Sequence, residues 1–165
     1  PCLPLCAVAF LYGAAQIVAV TTRMRLGWDE TVYLSQVSPH VPTAFFSAPR
    51  ARGITLLPAP LVAVTASLAS LRVYMTLLSS VGLVLAYWPW ARLLRPATAA
   101  LAALLLSALW MVQFYGNEVM PNIYVAYGAV APGAARRFHS TARSCRSRAS
   151  ASRSSAASRA LRVGP

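Results

Sequence analysis

Val73-Tyr-Met-Thr-Leu-Leu-Ser-Ser-Val-Gly-Leu-Val-Leu-Ala-Tyr-Trp-Pro-Trp-Ala91 contains no charge, closes on Tyr87, Trp88 and Trp90, and is followed by Arg92 and Arg95. Wound as an α-helix the stretch rises about 28 Å, close to the thickness of a bilayer's hydrocarbon core. Aromatic rings at such an end suit the membrane–water interface, where one edge is apolar and the other wet. Two more charge-free stretches have similar length: Leu3 to Thr22, closed by Arg23 and Arg25, and Ala97 to Tyr115, which ends in Trp110, Phe114 and Tyr115. These three read as full spans. Gly53 to Leu71 is also uncharged but carries Pro58 and Pro60. Two prolines are tolerated in a first turn and costly in a helix interior, so this segment reads as an interfacial or re-entrant helix. A last apolar run, Asn122 to Ala131, reads as a truncated helix stopped by Pro132-Gly133. The expected fold is therefore all-α, a polytopic transmembrane helix bundle.

Composition agrees with a membrane setting. The 165 residues are 58% apolar and only 11% charged, where a soluble domain is about a quarter charged. Every one of the fifteen cations is arginine, and the only acids are Asp29, Glu30 and Glu118. Net charge is +12, a value that often signals nucleic acid. Outside the tail, however, the arginines flank apolar segments, as membrane topology requires. The absence of lysine removes a Walker-type phosphate loop. Cys2, Cys6 and Cys145 form no CxxC pair, so neither a zinc site nor a disulfide framework is suggested. Residues 1–131 are expected to form one membrane module. Residues 132–165, almost wholly Ala, Arg, Ser, Gly and Pro, cannot bury a core and are expected to be a disordered basic tail. Three readings of that tail stand open: GC-rich coding DNA translated out of frame, a cationic segment lying on anionic lipid, and an RNA-binding segment. The chain begins at Pro1, which suggests a missing N-terminus; a cleaved signal peptide fits less well, because the first apolar run is too long and lacks a basic start.

Chemistry can sit at two acidic motifs, Asp29-Glu30 and Asn117-Glu118. Asp29 is placed to cap a short helix with Val32, Tyr33 and Gln36 on one side. Carboxylates beside a membrane are costly to keep, but solvated loop acids are common, and spacing alone leaves both readings open. If the motifs share a site, an even number of spans must separate them. Counting residues 53–71 as interfacial meets that condition. His40, beside two prolines, reads as a loop histidine, and His139 falls in the tail. The Trp88/Trp90 pair reads as a membrane anchor rather than a sugar-stacking platform.

Gly27-Trp28-Asp29-Glu30-Thr31-Val32-Tyr33-Leu34, followed by Ser47-Ala48-Pro49-Arg50-Ala51-Arg52-Gly53 and Leu56-Leu57-Pro58, resembles the first outer loop of the GT-C superfamily of polyprenyl-phosphate-sugar-dependent glycosyltransferases. Tyr115-Gly116-Asn117-Glu118-Val119-Met120-Pro121-Asn122 resembles that family's acidic motif at the outer end of a later helix. The likeness covers about residues 5 to 130, an N-terminal portion of such an enzyme. It implies a multi-pass plasma-membrane (cell inner membrane) protein that takes a lipid-linked sugar donor, with Asp29 as general base and Glu30 and Glu118 orienting the acceptor. It also implies Asn117 and Tyr33 in substrate binding, and Arg50 and Arg52 against the donor phosphate, although interfacial anchoring explains those arginines equally well. A divalent cation is compatible with three acids and is not required by them. The chain alone is expected to be inactive. The competing expectation is a non-enzymatic integral membrane protein, a transporter subunit or partner-binding anchor.

Overall fold

The computed structural model describes residues 3–21, 24–45 and 52–131, all of whose regular elements are helical. The tail, Arg50 and the Arg23 end of the first segment lie outside the described residues. Helix α1 (Leu3–Gln16) continues into a π-helical turn, Ile17–Thr21. After a short extended stretch, α2 spans Trp28–Ser35.

No continuous helix runs through residues 53–71. A 3₁₀ turn (Arg52–Leu56) leads to the four-residue α3 (Ala59–Val62), with Pro58 at its cap and Pro60 in its first turn. The backbone then loosens until Ser67, whose hydroxyl accepts from the Ser70 N–H and starts α4 (Leu68–Leu93). Leu68 to Leu71, assigned from sequence to the proline segment, are therefore the first turn of the next helix.

Helix α4 has 26 residues and is long and apolar enough to cross a membrane. It is the one such helix among the described residues; α1 and α5 are apolar but shorter. The expected third span, Ala97 to Tyr115, is broken. Helix α5 (Pro96–Ser107) stops, Leu109 adopts an extended backbone, and α6 (Trp110–Tyr115) starts as a separate helix. The break leaves a carbonyl at Ser107 without its helical partner, and the Gln113 amide donates to it at 2.8 Å. Residues 121–131 form a last helix, α7.

Helices α1, α4 and α5 pack on one another. Leu5, Val8, Tyr12, Leu83, Ala99 and Ala103 lie at the centre of their shared core. Gly13 of α1 lies against Thr76 and Ser80, so α1 and α4 are antiparallel, with the C-terminal end of α1 beside the start of α4. Helix α7 runs beside α4. Its Tyr127 ring rests on Gly82, where a Cβ would come within 2.8 Å of the ring, and the Trp90 indole N–H donates to the Val130 carbonyl at 3.0 Å. A second core, built from Tyr33, Leu34, Ile54, Leu71, Met75 and Val119, holds α2 and the proline segment against the N-terminal end of α4. The outer side of α4 presents Val73, Leu77, Val81 and Leu85, at four-residue spacing and all exposed. A helix apolar on both its packed and its outward sides is what a lipid environment permits.

Candidate functional site: a clasp of Glu30 and Arg72

Helix α2 is capped at Gly27, not at Asp29. The Gly27 N–H donates to Glu30 Oε2 at 2.9 Å, the reach-back half of a capping box with Glu30 at the third helical position. Asp29 is instead the second residue of the helix, half-buried in its first turn. A carboxylate there is favoured by the helix dipole.

Glu30 is fully buried and faces Arg72, which is 1% exposed in the first turns of α4. The pair is bidentate. Arg72 Nη1 donates to Glu30 Oε1 at 2.6 Å and Nη2 donates to Oε2 at 2.8 Å. Oε1 also accepts from the Val119 N–H at 2.8 Å. With the Gly27 bond, that makes two from the arginine and two from backbone, which fills a carboxylate's acceptor directions. Arg72 is nearly as occupied, because Nη1 also donates to the Asn117 carbonyl at 3.0 Å and Nη2 to the Arg25 carbonyl at 2.7 Å. One ion pair therefore ties together the loop after α1, α2, α4 and the 117–119 turn.

The two acidic motifs thus meet at one end of α4. Glu30, Asn117 and Glu118 are all buried around Arg72. Burial, with the Glu30 charge adding to it and Arg72 opposing, raises the Glu118 carboxyl to about 7. A carboxyl in that range can both take and return a proton at neutral pH. Tyr33, one turn beyond Glu30, is buried in the second core. Arg52 opens the 3₁₀ turn, but its side chain, like the whole of Arg50, lies outside the described residues. His40 is exposed and lines a cavity of about 220 Å³ between α2 and the start of α4, away from the clasp residues. Arg92 stacks on the Trp88 ring at 5.1 Å.

One expectation changes in detail. Glu30, expected to orient an acceptor or hold a cation, has no acceptor direction left for either. Among the described residues no three His, Cys, Asp or Glu side chains gather as metal ligands. Arg72 was not singled out from sequence, where it separates two charge-free runs. The signal was there: a charge flanked by apolar residues on both sides inside a spanning-length stretch calls for a named partner. Comparison of the chain with protein-family models, curated proteins and solved structures returns no match.

Proposed function

We propose that residues 3–131 are the acid-bearing part of a multi-pass membrane glycosyltransferase that moves a sugar from a polyprenyl-phosphate carrier to an acceptor hydroxyl at the outer face. The observation that carries this reading is the convergence of two acidic motifs, 89 residues apart between Glu30 and Val119, on one buried arginine. Two motifs that each resemble part of a GT-C site serve one reaction only if the fold brings them together. In this reading α1, α4 and the α5–α6 pair cross the bilayer of the inner membrane, and α2 with the proline segment lies along its outer surface. The outward apolar side chains of α4 support that placement.

Asp29 acts as general base toward the acceptor hydroxyl, and Glu118, its carboxyl near neutrality, shares the acceptor's proton or hydroxyl. Glu30 and Arg72 are positioning residues: they fix the first turn of α2, and with it Asp29, against the 117–119 turn. Asn117 supports the clasp through its carbonyl on Arg72, Tyr33 packs behind it in the second core, and Arg50 and Arg52 pair with the donor phosphate. The remaining helices of the enzyme complete the donor groove, so this chain alone does not turn over.

The test is transfer of a labelled sugar from its polyprenyl phosphate in membranes that hold the full-length protein containing this sequence. Asp29→Asn is expected to lower transfer by roughly 10²–10⁴, the usual worth of a positioned general base. Unchanged transfer would refute the assignment. The saturation of Glu30 favours one second reading, a non-enzymatic membrane protein in which the acids are a structural clasp, and under that reading Asp29→Asn leaves function intact.

A further inference from the structure

A groove of about 500 Å³ runs between α1 and α4, on the side of the bundle that carries Leu77 and Val81. Its floor is made of small side chains, Ala9 and Gly13 of α1 against Thr76 and Ser80 of α4. Its walls stand out from the bundle: Phe10 and Val18 on one side, Leu77 and Val81 on the other, all exposed. The sequence sets this shape. On α4 the small pair 76 and 80 and the large pair 77 and 81 are each four residues apart, so two stripes of different height run side by side along the helix. No charged residue lines the groove. The Thr76 and Ser80 hydroxyl oxygens are themselves buried, so the surface it offers is nearly all carbon.

The dimensions select the occupant. Along α1 the groove runs from Cys6 to Ile17, about 17 Å at 1.5 Å per residue. A helix of that length, roughly 10 Å across with its side chains, fills about 1,300 Å³. A neighbouring helix would therefore bridge the walls and leave the floor uncovered, whereas an alkyl chain lies in the groove along its whole length. In the bilayer core there is no water to fill such a space, and a void forfeits the dispersion contacts of every atom that lines it.

We propose that this groove is a binding site for one acyl chain of a bilayer phospholipid, held between α1 and α4 more firmly than the lipid around the rest of the bundle. Recognition is of the chain alone. No cation lines the groove to select a phosphate-bearing carrier, so the occupant is the chain that the bilayer supplies in excess. The site rests on α4 crossing the membrane and not on the transferase reading, which its failure would leave untouched.

Photo-crosslinking tests it. The full chain is placed in nanodiscs of phosphatidylethanolamine and phosphatidylglycerol, a small fraction of which carries a diazirine midway along one acyl chain, then illuminated and mapped by mass spectrometry. Phe10, Ala14, Leu77 and Val81 are expected to take up several-fold more crosslinked lipid than Leu101 and Leu105 of α5, which are exposed outside the groove. Ala14→Phe fills the groove and is expected to bring its labelling down to that of α5, with α5 unchanged. Equal labelling of the two faces in the unsubstituted chain would reduce the groove to ordinary bilayer contact and overturn the proposal. Labelling of the groove below α5 would mean that protein covers it, which also overturns it. Excess polyprenyl phosphate is expected to leave the pattern as it is; displacement of the crosslinked lipid would give the groove to the carrier instead. Should Ala14→Phe fail to fold, the comparison of the two faces in the unsubstituted chain decides.

Discussion

Arg72 brings a full charge into the first turns of an apolar helix, and Glu30 offsets the cost by meeting it with both oxygens. Removing one partner leaves the other buried and uncompensated. Arg72→Met is therefore expected to destabilise the protein by about 3–5 kcal/mol, whereas Arg72→Met with Glu30→Leu recovers much of that loss. Thermal unfolding in detergent of the two variants measures the difference; equal loss in both would mean the pair is solvated. Glu118 provides a second test. Its folded carboxyl is raised to about 7, above its unfolded value, so the folded state binds the proton more tightly. Stability is then greatest when Glu118 is protonated and falls as pH rises from about 4.5 to 7. Glu118→Gln should flatten that slope and raise stability at pH 8 by roughly 1–3 kcal/mol, since each tenfold change in proton affinity is worth about 1.4 kcal/mol. A variant whose stability keeps the original pH dependence would place the titration elsewhere.

At the scale of the element, the break between α5 and α6 turns the chain so that Gly116 meets α1. A Cβ on Gly116 would collide with the Gln16 amide and the Tyr12 hydroxyl. Tyr12 is also pinned, donating to the Val112 carbonyl at 3.1 Å. Gly116→Ala is accordingly expected to push the 116–119 turn off Glu30 and to destabilise by about 1–3 kcal/mol, in the range of an overpacked core. The same substitution at Gly53, where a Cβ meets nothing, serves as the control in the same melting experiment. The contact of α7 with α4 includes the Trp90 indole bond. Trp90→Phe keeps an aromatic ring and loses the bond to Val130, an expected cost of about 0.5–1.5 kcal/mol, readable from the midpoint of denaturant unfolding.

Over the whole molecule, the clasp sits at the Leu68 end of α4 and the Trp88/Arg92 cluster at the other. If α4 crosses the membrane, positions near its two ends are reached from opposite sides, while Ala66 and Asn122 share a side because the clasp joins their neighbourhoods. Single cysteines at Ala66, Leu94 and Asn122, in a background with Cys2, Cys6 and Cys145 all changed to Ser, are expected to react with an impermeant thiol reagent from one face for the first and third and from the other face for the second. Labelling of Ala66→Cys and Leu94→Cys from the same face would remove the spanning reading of α4.

What could be read along the chain was whatever is local. Helicity follows from runs of apolar residues without charge, although the charge-free stretch begins at Val73, five residues after the start of α4 at Leu68, because Arg72 reads as a boundary. The two acidic motifs are likewise visible as the only carboxylates in an apolar chain. The sequence could not say which acid Arg72 holds, because hydrogen-bond partners 42 and 89 residues away from Glu30 decide that. Nor did hydropathy reveal the break after Ser107, since residues 97–115 are apolar throughout and the interruption is stabilised by the Gln113 side chain and the packing of Gly116 on α1. Periodicity and charge act over a few residues and fix the type of each element. The role of Glu30 as a clasp and the partner of Arg72 exist only where distant segments touch, so folding alone determines them.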